Sequence, residues 1–305
     1  MWTLLSGIYL GTTLGANDAA NVFGTAVTTN SIKFKTAIAL SMVFIPLGAY
    51  LEGSAGIETL GSLANQTLWT AFISSLAAAL TMTLMTILKL PTSTSQAVVG
   101  AIIGSNLLKN SINFSPLVKI VSAWFFTPIG ALIIAYLLYK IYLRFLESYI
   151  KNIIQFEYYI QIGLIVTGIY GAYSLGANNV ANVMGVYVEA GLFNPQLGSL
   201  IGGLSIALGT IFSRRVMQTI GTKLTVLTPL TALIALLAHS LTLYLYANIG
   251  IPVSSSQAIV GGVIGVGLVK GVYMLDWRTA KKILFGWLGT PIIAGIIGII
   301  LSTLF

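Results

Sequence analysis

The sequence predicts an all-α polytopic membrane protein made of inverted-topology repeats, with broken helices and paired helical hairpins. Three observations carry that prediction. The 305 residues are 56% hydrophobic and 7% charged, with a mean hydropathy of +0.94, whereas a soluble domain carries about 25% charged residues. A composite signature occurs twice: GANDAANVFG (15–24) followed by PTSTSQAVVGAIIG (91–104), then GANNVANVMG (176–185) followed by PVSSSQAIVGGVIG (252–265). Gly176 lies 161 residues beyond Gly15, and Pro252 lies 161 beyond Pro91, so the two elements were duplicated as one unit. Finally, the cationic residues segregate in a way that only an inverted second half explains.

A helical span takes roughly 20 apolar residues, so the chain has room for roughly eight to ten membrane segments. Residues 2–29 form the first, interrupted midway by Gly15-Ala-Asn-Asp. The first Lys is Lys33, so the opening stretch lacks the charged start of a signal peptide and reads as a retained segment. Residues 36–51 follow as a second span. Residues 68–90 lead into the Pro-Thr-Ser-Thr-Ser tip, 96–108 lead away from it, and 115–143 form a further span. Residues 150–158 read as a short connector between a first repeat, 1–149, and a second, 159–305. The second repeats the order with 159–190, 197–213, 224–249, a tip, 256–269 and 275–305.

If each tip enters and returns, each half crosses the membrane three times net, and the second half is inverted. This places Lys33, Lys35, Lys140, Arg144, Lys151, Arg214, Arg215, Lys223, Lys270, Arg278, Lys281 and Lys282 on one side, and Lys109 and Lys119 on the other. Lys89 sits beside a tip. The positive-inside rule makes the first side cytoplasmic, with the Arg214 to Lys223 loop within it and both termini extracytoplasmic.

Composition also limits the chemistry. Zero cysteines exclude disulfides, thiol catalysis and Cys-ligated metals, and the single His239 argues against a His-based metal site. In the first signature Asn17, Asp18 and Asn21 are spaced to share one helix face; the second supplies Asn178, Asn179 and Asn182. Asp18 is an acid deep in the membrane, where a carboxylate costs several kcal/mol unless paired. With no Lys or Arg in either signature, its partner is a cation or a proton, and hard cations such as sodium prefer oxygen ligands. Gly15 and Gly176 are expected to let the helix unwind and expose carbonyls as further ligands.

At the tips, Pro91 and Pro252 end the preceding segments. Ser93 to Gln96 and Ser254 to Gln257 fit the S-x-x-Q capping box. Each helix start offers unpaired N–H groups and about half a positive charge, an anion site. The hydroxyls of Thr94, Ser95, Ser255 and Ser256 add donors. Inversion brings the tips in from opposite faces, so both helix ends can meet one anion near the midplane.

An anion held by dipoles and hydroxyls beside an oxygen-rich cation site points to cation-coupled anion transport. Gly15-Ala-Asn-Asp, Gly176-Ala-Asn-Asn and the two Pro-x-Ser-x-Ser-Gln-Ala tips resemble the inorganic phosphate transporter (PiT) family of sodium- or proton-dependent carriers. The resemblance covers essentially the whole chain. It implies a phosphate symporter of the cell membrane working by alternating access, a homodimer, and no enzymatic activity or organic cofactor. Phosphate contacts are then expected at Thr94, Ser95, Gln96, Ser255, Ser256 and Gln257. Sodium contacts are expected at Asn17, Asp18, Asn21, Asn178, Asn179 and Asn182, with Ser93 and Ser254. A proton-coupled phosphate or sulfate permease is the alternative, followed by an anion channel. An intramembrane hydrolase lacks a second buried acid and a base beside its serines.

Gly100, Gly104, Gly261 and Gly265 are spaced for close helix packing. Trp124 and Trp287, each followed by Thr-Pro, mark kinked helices whose Thr127 and Thr290 could line a path. His239 has Ala78 as its first-repeat counterpart and is expected to pack or meet solvent.

Overall fold

The computed structural model describes residues 2–88, 92–107, 111–146, 152–214, 216–217, 227–270 and 277–304. Among them no strand occurs, and seven helices are long and apolar enough to cross a membrane. In chain order the helices are α1 (Leu4–Thr28), α2 (Phe34–Glu52), α3 (Ser54–Gly61), α4 (Leu68–Ile87), α5 (Thr94–Asn106), α6 (Phe114–Ile141) and α7 (Ile153–Glu189), then α8 (Pro195–Gly209), α9 (Pro229–Asn248), α10 (Ser255–Lys270) and α11 (Trp277–Leu304). A π-helical turn, Tyr142–Leu146, extends α6. Helix α1 is not among the seven. Its 25 residues reach about 37 Å, but GANDAAN makes its middle polar.

One expectation changes. Helices α1 and α7 run unbroken through their signatures, so Gly15 and Gly176 do not unwind the chain. They serve instead as crossing points: a Cβ on Gly15 would overlap the Ile206 carbonyl oxygen, and one on Gly176 the Ile45 carbonyl oxygen. The breaks fall at the hairpin tips, between α4 and α5 and between α9 and α10. Helix α7 begins at Ile153, with Asn152 accepting a hydrogen bond from the Ile154 N–H. Pro91, Lys89, Arg215 and most of the Arg214 to Lys223 loop lie outside the described residues.

Local chemistry sets the hairpins. Thr67 and Thr228, again 161 apart, each form a complete capping box, with Thr70 and Thr231, at the start of α4 and α9. Within the first hairpin, Ser74 Oγ and Ser105 Oγ are 2.6 Å apart. Where α1 and α4 begin, Trp2, Trp69 and Phe72 cluster with ring centroids 5.2–5.5 Å apart, an aromatic group of the kind that sits at a membrane interface.

The halves pack by exchanging partners. Gly15 meets Ile206 while Gly176 meets Ile45, and Gly48 meets Tyr173 while Gly209 meets Thr12. Gly100 on α5 meets Pro291 within α11, and Gly261 on α10 meets Pro128 within α6. Such reciprocal contacts are the signature of a two-fold relation. The equivalent helices α1 and α7 touch in opposite directions: Gly7 near the start of α1 faces Tyr187 near the end of α7, and Gly168 on α7 faces Phe23 late in α1. For helices along the membrane normal, a two-fold axis relating antiparallel copies lies in the membrane plane, as inverted repeats require.

Candidate functional site

The two hairpin tips meet. Ser95 Oγ donates to the Pro252 carbonyl (3.3 Å), and Ser256 Oγ donates to the Thr92 carbonyl (2.6 Å). Each serine lies at the second position of its helix, so the N-termini of α5 and α10 are tied to one another by two bonds whose acceptors differ in register by one residue, since Pro252 matches Pro91 and not Thr92. Tip depth follows from α1: Asn17 Nδ2 donates to Thr92 Oγ1 at 3.1 Å. Asn17 lies thirteen residues into α1, about 20 Å from its start, which puts the meeting point near the middle of the helix. Thr94, Ser95, Gln96, Ser255, Ser256 and Gln257 are all buried.

Ser93 and Ser254 cap their helices as expected, accepting from the Gln96 and Gln257 N–H groups at 3.3 Å. The capping boxes are only half formed, because neither glutamine returns a side-chain bond to its cap. Gln96 Oε1 and Gln257 Oε1 are buried and without a partner among the described residues. A full box would turn those oxygens back to the helix start, and here they remain open acceptors.

Asp18 stands against the first tip. Thr94 Oγ1 donates to Asp18 Oδ2 (3.5 Å), and Asn17 and Asn21 both present Nδ2 to Asp18 Oδ1 (3.3 and 3.4 Å). Asn21 Nδ2 also reaches Ser255 Oγ at 3.1 Å, across to the second tip. Asp18, Asn21, Thr94 and Ser255 thus form one cluster drawn from both halves. In this arrangement N–H and O–H donors face the carboxylate, and the carboxylate itself is the hard oxygen ligand a cation would seek.

The second signature is used differently. Asn178 Oδ1 accepts from the Val253 N–H (2.9 Å), while its Nδ2 faces the Ile251 and Leu243 carbonyls (3.1 and 3.4 Å). Asn178 therefore pins the backbone of the second tip. Asn182 Nδ2 donates to Asn179 Oδ1 (3.1 Å), leaving Asn182 Oδ1 and Asn179 Nδ2 buried and without partners among the described residues. A buried unpaired polar group calls for an explanation, and an oxygen-seeking cation beside Asn182 would supply one for the acceptor.

Two contributors were not legible in the sequence. His239 neither meets solvent nor merely packs: it is fully buried, with Nε2 3.0 Å from Ser255 Oγ. Its coincidence with the second hairpin was the available signal. Trp124 donates from Nε1 to Ser95 Oγ at 3.3 Å. Thr127 and Thr290 do not line a path, since their hydroxyls bond the Ala123 and Gly286 carbonyls of their own helices.

Reciprocal helical halves whose hairpin tips meet at a buried polar cluster define a multi-pass membrane transporter. Residues 14–298 match the phosphate transporter family, and the chain belongs to that family. It is 34% identical to a Methanocaldococcus jannaschii protein named as a phosphate permease, over 98% of this chain and 95% of that one. It is 30% identical to the sulfate permease CysP of Bacillus subtilis, over 99% of this chain and 87% of that one. A solved structure of a sodium-dependent phosphate transporter matches with a TM-score of 0.87 at 23% identity, covering 100% of this chain and 99% of the other. At that identity the likeness is one of fold.

Proposed function

We propose that this chain imports inorganic phosphate together with sodium ions by alternating access. The observation that carries the reading is the meeting of two helix N-termini, through Ser95 and Ser256, beside the Asp18 cluster. Phosphate is held at the tips by Ser95, Gln96, Ser255, Ser256 and Gln257 through hydroxyls, amide groups and backbone N–H groups, and by Thr94 through its backbone N–H, without a fixed positive charge. Sodium supplies the countercharge, with Asp18, Asn17 and Asn21 in one half and Asn179 and Asn182 in the other. Asn178, Ser93 and Ser254 shape the tips that border these ligands. The bonds between the tips close the path, and opening toward either face separates one hairpin from the other.

The repeats divide at 1–149 and 159–305, the chain sits in the cell membrane with both termini extracytoplasmic, and two copies associate as a homodimer. The test is phosphate uptake into proteoliposomes with sodium and pH gradients imposed separately. Accumulation driven by sodium alone supports the reading; accumulation driven by a pH gradient alone replaces sodium with a proton. The identity to a sulfate permease favours sulfate as the second reading, and labelled sulfate in the same vesicles decides between the two.

A further inference from the structure

The two tips are not chemically equivalent at the first residue of their helices. Thr94 turns to Asp18 Oδ2 at 3.5 Å, and a carboxylate only accepts, so the Thr94 hydrogen points to the carboxylate. Its counterpart Ser255 faces Asn21 Nδ2 at 3.1 Å and His239 Nε2 at 3.0 Å. Asn21 also faces Asp18 Oδ1, which fixes its amide: the NH2 group points to both the carboxylate and Ser255, so Asn21 donates to Ser255. One lone pair of the serine is then occupied, and His239 decides what remains.

We propose that His239 is a positioning residue: as the Nε2–H tautomer it donates to Ser255 Oγ and leaves the serine hydrogen as the donor offered to an anion at the second tip. A hydroxyl has one hydrogen and two lone pairs. With Asn21 and His239 both donating, both lone pairs are used and the O–H must point elsewhere. In the other tautomer Ser255 donates to Nε2 and turns a lone pair toward the anion, which repels it. Once an anion at the tip accepts from Ser255, burial favours the first arrangement. His239 is 0% exposed, and its Nδ1 has no partner among the described residues. A buried unpaired N–H is rarer than a buried unpaired acceptor, so the ring hydrogen belongs on Nε2. Two departures from repeat symmetry, Asp18 against Asn179 and His239 against Ala78, then act together: one directs Thr94 to the cation side, and the other directs Ser255 to the anion side.

The inference rests on the tip site proposed above, and its test separates the two. Glutamine can place an amide nitrogen where Nε2 lies, and asparagine can place one where Nδ1 lies. Phosphate affinity of the purified full-length protein is expected to fall roughly tenfold or more in His239→Ala and His239→Asn, and to recover in His239→Gln. Sodium binding without phosphate stays as in the wild type. In a Ser255→Ala background, His239→Ala is expected to cost nothing further. Equal affinities for the Gln and Asn variants, or additive losses with Ser255→Ala, would reduce His239 to packing and overturn the proposal. Imidazole nitrogen NMR of the wild-type protein needs no variant: a hydrogen on Nε2 supports the assignment, and a neutral ring protonated at Nδ1 overturns it. If Ser255→Ala binds phosphate like the wild type while Ser95→Ala or Ser256→Ala does not, this inference fails and the tip site stands; if all three bind like the wild type, the tip site fails and this inference with it.

Discussion

Asp18→Asn is the substitution that separates charge from shape at the site. Thr94 lies 3.5 Å from Asp18 Oδ2, and one further hydrogen bond from that helix start adds about 2.8 Å. An anion oxygen held there sits ~6 Å from the carboxylate. At an effective dielectric constant near 20, two unit charges at that distance repel by about 3 kcal/mol, on the order of a hundredfold in affinity. A cation on Asp18 removes that penalty, so sodium is expected to tighten phosphate by about this factor and phosphate to tighten sodium equally. The asparagine is close in shape. Its oxygen can still accept from Asn17 and Asn21 while its nitrogen donates to Thr94, so melting temperature should hardly change. Phosphate binding to the purified variant is expected to lose its sodium dependence, and proteoliposomes should equilibrate phosphate without concentrating it. Sodium-driven accumulation by Asp18→Asn would refute the reasoning and move the cation elsewhere.

The remaining predictions follow from packing, tip contact and topology. Gly15→Ala and Gly176→Ala should each destabilise the protein by about 1–3 kcal/mol. An added Cβ meets backbone that cannot swing aside, Ile206 C at 2.8 Å in one case and Ile45 C at 2.8 Å in the other. Gly130→Ala and Gly289→Ala, with nothing within 4 Å of the new atom, are the controls, and a thermal melt that does not distinguish the two pairs would contradict the crossing geometry. Ser95→Ala and Ser256→Ala each remove one bond between the tips. Both should weaken phosphate binding by roughly tenfold or more while sodium binding survives; unchanged titrations in both variants would take the tips out of the site. Cysteines at Lys33 and Lys140 should react with an impermeant reagent from one face and a cysteine at Lys119 from the other. Labelling of all three from the same face would discard the inverted arrangement.

By itself the sequence determined the helical membrane class, the duplicated unit and the two signatures whose hairpin tips meet. Composition is a bulk property, and a 161-residue repeat is visible in one dimension; the Ser93 and Ser254 caps are local, acting over three residues. What the tertiary structure decided depends on who faces whom. Gly15 looked like a place for the helix to unwind, and only Ile206 opposite it shows that the missing side chain lets two backbones cross. Asn178 carries the same residue type as Asn17, yet the second tip's backbone claims its carbonyl through Val253. His239 looked isolated because the sixteen residues to Ser255 include a chain reversal that linear spacing does not show. Asn21 and Ser255 are 234 residues apart, and their meeting follows from the exchange of partners between the halves. A duplicated sequence fixes two similar folds, but the asymmetry between Asp18 and Asn179, and between His239 and Ala78, takes on chemical meaning only when the two-fold packing brings both halves to one point.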